Sequence, residues 1–272
     1  MKLSKNCQII AEIGWNHMGN MSLAKKMILA AKKSGADFAK FQTWSVKTLK
    51  SGPWDKDGRI QIYKKAELTP EKHKILIKFC KKNKIKFLTS VFNVKDVSWL
   101  KKLGLSTIKI PSPEMHNQKL LDAVDGGFEN VIVSTGTATW KEIRNVKKSI
   151  KKSKLTLLHC VSAYPASENN INLPKILELK KINKSVGYSG HLHGNNDAIA
   201  ALNYDIEIIE KHFTINNNLP GRDNKFALLP SEMKFLVDYK NSLKEMTIYK
   251  GKKFQKVESD MRKNYRGRWE NN

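Results

Sequence analysis

The chain has 272 residues, of which 40% are hydrophobic, and this suffices for one large domain or two small ones with a sizeable core. No run approaches the roughly 18 uncharged apolar residues of a membrane-spanning helix, and the N-terminus shows no secretory signal. The three cysteines lack the spacing of a disulfide framework or a metal motif. These features argue against a membrane or secreted protein, and we expect a cytoplasmic location.

The formal net charge of +25 raises the possibility of nucleic-acid binding. However, 44 of the 50 basic residues are lysine and six are arginine, which is the better ligand for bases and phosphates. The lysines are spread over nearly every predicted helix. We therefore expect a solvated lysine surface and no nucleic-acid partner, with a polyanion-binding face as the alternative. A positive field would also attract a small anionic substrate.

Short apolar runs alternate with segments of helical spacing along the whole chain. The predicted strands are Gln8–Ile13, Asp37–Phe41, Lys86–Phe92, Thr107–Pro111, Asn130–Ser134, Leu155–Cys160, Ser185–Ser189 and Ile206–His212. The predicted helices are Ser22–Lys33, Pro70–Asn83, Val94–Lys102, Gln118–Val124, Thr139–Lys152, Pro174–Lys181, Asn195–Leu202 and Ser231–Glu245. Capping residues support this reading, notably Thr69-Pro70 and the capping box that Thr139 and Glu142 form.

Eight strand-helix steps predict an α/β fold, a (β/α)₈ TIM barrel that forms a single domain over residues 1–248. A doubly wound open sheet is the alternative, but the sequence contains no glycine-rich phosphate loop. The connection Thr43–Leu68 is long enough for a lid or a binding loop. Residues 249–272 read as a short basic extension past the barrel.

The carboxyl ends of the predicted strands carry polar residues, and in such a barrel these ends form one mouth. Lysines and hydroxyls there suit a phosphate or carboxylate, and glutamates suit proton transfer. His191 and His212 lie 21 residues apart, at the ends of neighbouring strands. Two such imidazoles can hold a divalent metal with its other positions open, although two buried histidines can also meet without a metal.

These residues lie in segments that resemble the sialic acid synthase (N-acetylneuraminate synthase) family. The resemblance runs in order from residue 9 to about residue 235. It rests on Ala11-Glu12-Ile13-Gly14-Trp15-Asn16-His17, Gly35-Ala36-Asp37-Phe38-Ala39-Lys40-Phe41-Gln42-Thr43, Ser134-Thr135-Gly136, Leu157-Leu158-His159-Cys160, Gly187-Tyr188-Ser189 with His191, Glu210-Lys211-His212-Phe213-Thr214 and Asn218-Leu219-Pro220-Gly221-Arg222-Asp223.

The resemblance implies a metal-dependent transferase that condenses phosphoenolpyruvate with an N-acetylmannosamine-like sugar to give a nonulosonic acid and phosphate. The implied metal ligands, for Mn²⁺ or Mg²⁺, are His191 and His212. The implied phosphoenolpyruvate-binding residues are Lys40, Lys109, Ser112, Ser134, Ser162 and Ser189. The implied sugar-binding residues are Glu12, Gln42, Tyr164 and Asp223. The implied catalytic residues are Glu114 as acid/base, Lys109 and Glu12.

Two other functions stay open at this point. One is the same chemistry on another aldose, as in the related 3-deoxy-sugar-acid synthases. The other is a non-catalytic barrel that binds a sugar acid or a polyanion.

The sequence departs from the family pattern at more than one place. Gly190 stands between Ser189 and His191, where the family commonly has Asp, and a carboxylate there could orient the histidine. The family's C-terminal antifreeze-like domain, which supplies an arginine to the N-acyl group of the partner subunit's substrate, has no counterpart in this sequence. Three alternatives follow: Arg222, Arg266 or Arg268 substitutes for that arginine, a separate protein supplies it, or the acceptor sugar is different. A homodimer formed by the barrel is an expectation.

Overall fold

The computed structural model describes residues 7–269, so the outermost residues of the predicted barrel domain and of the predicted tail lie outside it. Within that range, parallel strands close into one barrel in sequence order, with β8 pairing β1. The strands are β1 (Gln8–Glu12), β2 (Phe38–Thr43), β3 (Lys86–Val91), β4 (Thr107–Ile110), β5 (Asn130–Ser134), β6 (Lys154–Cys160), β7 (Val186–Gly190) and β8 (Ile208–His212). The predicted (β/α)₈ barrel is confirmed.

Helices follow the strands and cover the barrel. They are α1 (Met21–Lys33), α2 (Arg59–Ala66), α3 (Pro70–Lys82), α4 (Val94–Lys102), α5 (Gln118–Val124), α6 (Trp140–Ser149), α7 (Lys175–Ile182), α8 (Asn196–Ala201), α9 (Pro230–Met246) and α10 (Ser259–Asn264). The predicted caps form: Thr69 accepts from the Lys72 amide, and Thr139 and Glu142 make the capping box.

Three helical segments differ from the sequence prediction, and one of them is α10, a helix in the predicted tail. The helix predicted over Thr139–Lys152 ends at Ser149, because Ile150 takes an extended backbone and buries its side chain. The long connection after β2 is not a plain loop, since it contains α2 and two 3₁₀ turns. It therefore has a structure of its own beside the mouth of the barrel.

Apolar side chains form two separate buried clusters. The larger one fills the space between strands and helices, as the packing of an apolar helix face on a sheet requires. The smaller one comes from six of the strands and consists of Ile10, Phe38, Leu88, Ile132, Leu158 and Ile208. It fills the inside of the barrel with side chains, so the barrel is a packed core and not a pore.

The residues beyond α9 leave the barrel. Over 249–269 every described side chain is exposed, including Tyr249, Val257 and Trp269. The boundary between a domain of residues 1–248 and a tail of residues 249–272 stays a prediction. Among the described helices, none has both the length and the apolar character that crossing a bilayer demands.

Candidate active site

The smaller cluster explains where the polar residues of the site lie. Successive side chains of a strand point to opposite faces, so residues two apart share a face. Five of the inward apolar residues are followed two positions later by a buried polar one: Ile10 by Glu12, Phe38 by Lys40, Leu88 by Ser90, Ile132 by Ser134 and Ile208 by Glu210. Leu158 is followed in the same way by Cys160. The polar layer therefore lies directly above the apolar one.

Strand register brings this layer together. Glu12 pairs in register with Lys40 on one side and with His212 on the other. Ser189 pairs with Glu210 in the same layer. A cavity of about 1040 Å³ opens above it. The predicted residues that line this cavity are Glu12, Lys40, Gln42, Lys109, Ser112, Ser134, Ser162, Tyr164, Ser189, His191, His212 and Asp223.

Two lysines and two glutamates form a buried ionic cluster at the floor of the cavity. Lys40 Nζ lies 2.5 Å from Glu12 Oε2 and 3.5 Å from Glu210 Oε2. Lys109 Nζ lies 2.5 Å from Glu210 Oε1, which also accepts from the Ser189 hydroxyl at 3.0 Å. All four charged side chains are at most 5% exposed, so their mutual pairing offsets a large cost of desolvation.

The two carboxylates of this cluster have opposite pKa shifts. Burial raises the pKa of Glu12, and the nearby charge of Glu210 adds to this, while Lys40 opposes it. Burial would also raise the pKa of Glu210, but Lys109 and Lys40 outweigh it and hold that pKa well below its usual range. Of the two carboxyls, Glu12 is therefore the weaker acid.

Small polar groups on the other side of the cavity form a cradle. Gly136 donates its backbone N–H to Ser112 Oγ at 3.1 Å, and Cys160 Sγ lies 3.1 Å from the same hydroxyl. Ser134 Oγ is buried and has no hydrogen-bond partner among the described residues. A buried hydroxyl without a partner is uncommon in a folded protein, and an anion bound here would accept from it.

The two histidines lie next to each other at the mouth, where the paired strands β7 and β8 end, with ring centroids 5.4 Å apart. His191 Nδ1 lies 2.7 Å from the Val161 carbonyl oxygen, which can only accept, so Nδ1 carries the proton and Nε2 has the free lone pair. His212 Nδ1 makes no hydrogen bond and has Asp223 Oδ2 at 3.4 Å. Burial lowers the pKa of His191 to about 4 and that of His212 well below its usual value, so both imidazoles are neutral.

This pair fits a metal in its chemistry. Neutral imidazoles with a free lone pair are common metal ligands, and a carbonyl that fixes the tautomer is a typical outer partner. Among residues 7–269, no group of three or more His, Cys, Asp or Glu side chains gathers in a metal-binding arrangement. A cation held here would thus have two protein ligands and take the rest from water or substrate.

Aromatic rings line the outer part of the cavity. Tyr164 packs on His191 with ring centroids 4.2 Å apart, and Phe226 packs on His212 at 5.0 Å. Below them Gln42 donates to Glu12 Oε1 at 2.6 Å. Burial, reinforced by the charge of Glu12, raises the pKa of Asp223 to about 7. These groups form a wall with apolar faces and a few hydrogen-bonding tips.

The structure does not bring Glu114 into the site. It lies in a 3₁₀ turn, Ser112–Glu114, and its carboxylate accepts from the Asn117 side chain at 3.2 Å instead of lining the cavity. The adjacent Pro113 lines the cavity in its place. The turn after β4 directs this carboxylate toward the start of α5, and the acid/base role of Glu114 stays a prediction.

The structure adds residues that the sequence analysis did not assign. Glu210 is the centre of the ionic cluster, although its position at a strand end was already a signal. Arg59 and Tyr63 line the cavity from α2, in the long connection predicted as a binding loop. Arg59 and Arg222 both pair with Asp57, at 2.9 and 3.0 Å.

The three arginines considered as substitutes have different positions. Arg222 lines the cavity, whereas Arg266 and Arg268 lie in the exposed tail and are not among the residues that line it. Of the three, Arg222 is therefore placed to meet a ligand in the mouth.

Comparison with known proteins gives consistent matches. The model of the NeuB family matches residues 27–252. The N,N'-diacetyllegionaminic acid synthase of Campylobacter jejuni is 39% identical over 249 residues, which cover 85% of this chain and 75% of that protein. A pseudaminic acid synthase of the same species is 34% identical, over 86% of this chain and 73% of that protein.

A solved structure agrees with these relatives. The N-acetylneuraminic acid (sialic acid) synthetase of Leptospira borgpetersenii, in complex with citrate, superposes with a TM-score of 0.85 at 32% identity. The match covers 96% of this chain and 93% of that one. The predicted resemblance is confirmed, as is the prediction of a sialic acid synthase-type enzyme, and the chain belongs to the NeuB family.

Proposed function

We propose that this protein condenses phosphoenolpyruvate with an N-acylated amino sugar, in a metal-dependent reaction that gives a nonulosonic acid and inorganic phosphate. The observation that carries the proposal is the joining of three features in one cavity: a buried lysine pair, an unpartnered serine hydroxyl and two neutral histidines. A carboxylate, a phosphate and a cation have a place there.

Phosphoenolpyruvate would lie between the lysines and the serine cradle. Lys40 and Lys109 would donate to its anionic groups from the floor, and Ser112 and Ser134 from the sides. Ser189 lines the same space, where its hydroxyl donates to Glu210. Ser162 extends this set. Donors fixed in a buried site stabilise charge as it moves during the reaction, without the cost of reorganising water.

Proton transfer is assigned to Glu12. Its carboxyl lies beside the lysine pair, and its raised pKa makes it a better proton acceptor than Glu210. Glu210 keeps both lysines in place as their counter-ion. A divalent ion held by His191 and His212, Mn²⁺ or Mg²⁺, would supply Lewis acidity toward the sugar carbonyl.

The acceptor would occupy the aromatic outer part of the cavity. Acetamido groups present methyls and amides, which suit the faces of Tyr164 and Phe226 and the side chains of Gln42 and Asp223. Relatives are named for acids with one or two acylated amino groups, including the diacetyllegionaminic acid synthase. We propose a mono- or diacetamido aldose as acceptor, with Arg222 near its amide.

The reaction is tested by phosphate release from phosphoenolpyruvate in the presence of Mn²⁺ and each member of a sugar panel. The panel contains N-acetylmannosamine, a diacetamido-trideoxy hexose and simple aldoses such as arabinose. Release that depends on an acetamido sugar supports the proposal. Release with simple aldoses alone indicates a 3-deoxy-sugar-acid synthase, and silence across the panel refutes enzymatic condensation.

The metal site has a matched control. We expect His212→Gln to abolish the response to Mn²⁺ after chelator treatment, whereas His116→Gln, at an exposed histidine outside this cavity, should respond like the wild type. Equal responses in both variants would contradict the assignment. A cytoplasmic location and a barrel-only homodimer are further predictions of the same hypothesis.

A further inference from the structure

A second buried ion pair lies behind the histidines, outside the cavity. Lys211 stands between Glu210 and His212 on β8, so its side chain points to the opposite face of the strand. Its Nζ lies 2.9 and 3.0 Å from the two carboxylate oxygens of Asp197, in α8. The two side chains are 2% and 0% exposed, so this pair is more deeply buried than those of the ionic cluster.

The ammonium of Lys211 also joins the two strands that carry the histidines. It donates to the Leu192 carbonyl at 2.8 Å, one residue after His191. Lys211 itself directly precedes His212. Tyr188 on β7 completes the network by donating its hydroxyl to Asp197 Oδ2 at 2.9 Å. The position of each imidazole is thus linked to the other through one buried lysine.

Gly190 makes room for this network. A Cβ built at Gly190 would lie 2.3 Å from Asp197 Oδ2, 2.8 Å from Tyr188 Cε1 and 3.0 Å from Lys211 Cδ. The backbone of Gly190 is outside the left-handed region, so a side chain is excluded by space and not by conformation. The carboxylate of Asp197 therefore occupies the place that a side chain at position 190 would take.

We propose that Asp197 is a positioning residue that, through Lys211, fixes the separation of His191 and His212, and that Gly190 is required to admit its carboxylate. The carboxylate that the sequence lacks at position 190 is thus supplied by helix α8. The inference rests on the proposed metal-dependent function. Without Asp197 the buried ammonium would lose its counter-ion, and the segment after β7 would be free to move away from β8.

The test uses the full chain and compares Asp197→Asn with Asp238→Asn, which changes an exposed lysine-paired aspartate on α9. Mn²⁺ affinity is measured by electron paramagnetic resonance of the free ion. We expect Asp197→Asn to weaken it about 10- to 100-fold, the usual effect of losing an outer-shell partner, and to lower kcat more than it changes KM for phosphoenolpyruvate. Asp238→Asn should match the wild type. Wild-type Mn²⁺ affinity in Asp197→Asn would overturn the proposal.

A double-substitution cycle tests the role of Gly190. Gly190→Asp alone should lower the melting temperature of the metal-free protein, because the new side chain meets Asp197. Adding Asp197→Gly should restore part of the lost melting temperature, since a carboxylate from position 190 can then reach Lys211. Additive losses in the cycle would refute the shared site.

Two further measurements apply if a variant does not fold or if the wild type binds no Mn²⁺. If Asp197→Asn does not fold, the pair Asp197→Leu with Lys211→Met should restore folding but not Mn²⁺ affinity, because apolar side chains can replace a buried ion pair without ordering the histidines. If the wild type binds no Mn²⁺, the proposed function fails. The positioning proposal still predicts that the imidazole NMR resonances of His191 and His212 shift in Asp197→Asn and keep their wild-type positions in Asp238→Asn. Wild-type resonances in both variants would refute it.

Discussion

Gly136 offers a direct test of the anion cradle. It follows β5 closely, and a Cβ built there would lie 2.2 Å from Ser162 Oγ, 2.8 Å from Ser112 Oγ and 2.9 Å from Cys160 Sγ. Its φ lies outside the left-handed region, so Gly136→Ala adds no backbone strain. The substitution places a methyl group among the hydroxyls that are proposed to bind phosphoenolpyruvate.

The size of the effect follows from these contacts. Contacts below 3.0 Å require both hydroxyls to move, and inserting a carbon into a packed site costs about 1–3 kcal/mol of folding free energy. Each hydroxyl displaced from a charged ligand forfeits about 1.5–3 kcal/mol of binding free energy. At about 1.4 kcal/mol per tenfold change, the loss of one such bond weakens phosphoenolpyruvate binding about 10- to 100-fold.

The assay is calorimetric titration of phosphoenolpyruvate, together with the melting temperature of the free protein. The control is Gly52→Ala, because a Cβ at Gly52 meets no atom within 4 Å and its backbone is also outside the left-handed region. Gly52→Ala should bind phosphoenolpyruvate like the wild type. Unchanged affinity in Gly136→Ala would show that the anion binds elsewhere, and the assignment of the serine cradle would then be wrong.

Three other outcomes follow from the site. Lys109→Met should lower the free energy of unfolding by about 3–5 kcal/mol in urea titrations, because Glu210 loses a buried partner. Arg222→Ala should raise KM for the acceptor about tenfold while KM for phosphoenolpyruvate stays unchanged in steady-state kinetics. Burial lowers the pKa of His17 from 6.5 to about 4. Between these two pH values, the unfolded chain therefore binds a proton at His17 and the folded chain does not. The contribution of His17 to stability, roughly 3 kcal/mol at most, is therefore lost as the pH falls from above 6.5 to 4, and His17→Asn should flatten that part of the stability curve.

Each of these outcomes has a clear opposite. Lys109→Met with wild-type stability would mean that Lys40 alone compensates Glu210. A parallel rise of both KM values in Arg222→Ala would place the arginine's effect on the whole cavity and not on the acceptor. The histidine argument fails if the pH slope of unfolding is the same with and without His17, measured between pH 4 and 6.5.

The barrel could be predicted because its strands and helices have distinct periodicity. β5, α4 and α5 have the predicted bounds, and the other strands and the helices predicted with them differ by few residues at their ends. The polar layer was also predictable, since a polar residue at a strand's carboxyl end must face the mouth or the helices. The register that pairs Glu12 with both Lys40 and His212 required the closed structure.

Other parts of the site depend on the geometry of a local turn or on contacts between segments that are distant in sequence. Glu114 was predicted as the acid/base by resemblance, yet the direction of its carboxylate depends on the turn and on Asn117. The role of Glu210 depends on two lysines from other strands. Arg59 lies at the cavity because it is the first residue of α2. The sequence of this connection has only a weak helical pattern. The sequence does not show the approach of Glu210 or of Arg59, because each is a tertiary contact, whereas the contact of Glu114 with Asn117 depends on the local turn.

The ionic cluster at the floor has a thermodynamic consequence. Lys40, Lys109, Glu12 and Glu210 carry charges that sum to zero, so a multiply charged anion entering beside them makes a buried space strongly negative. The divalent cation proposed at His191 and His212 would neutralise part of that charge. The two ligands should therefore bind with positive cooperativity, each raising the affinity of the other by the same factor. Because the four charges of the floor cancel, an unrelated anion that binds without a cation gains little electrostatic energy from it. The floor would therefore favour phosphoenolpyruvate and the divalent cation bound together over an anion bound alone.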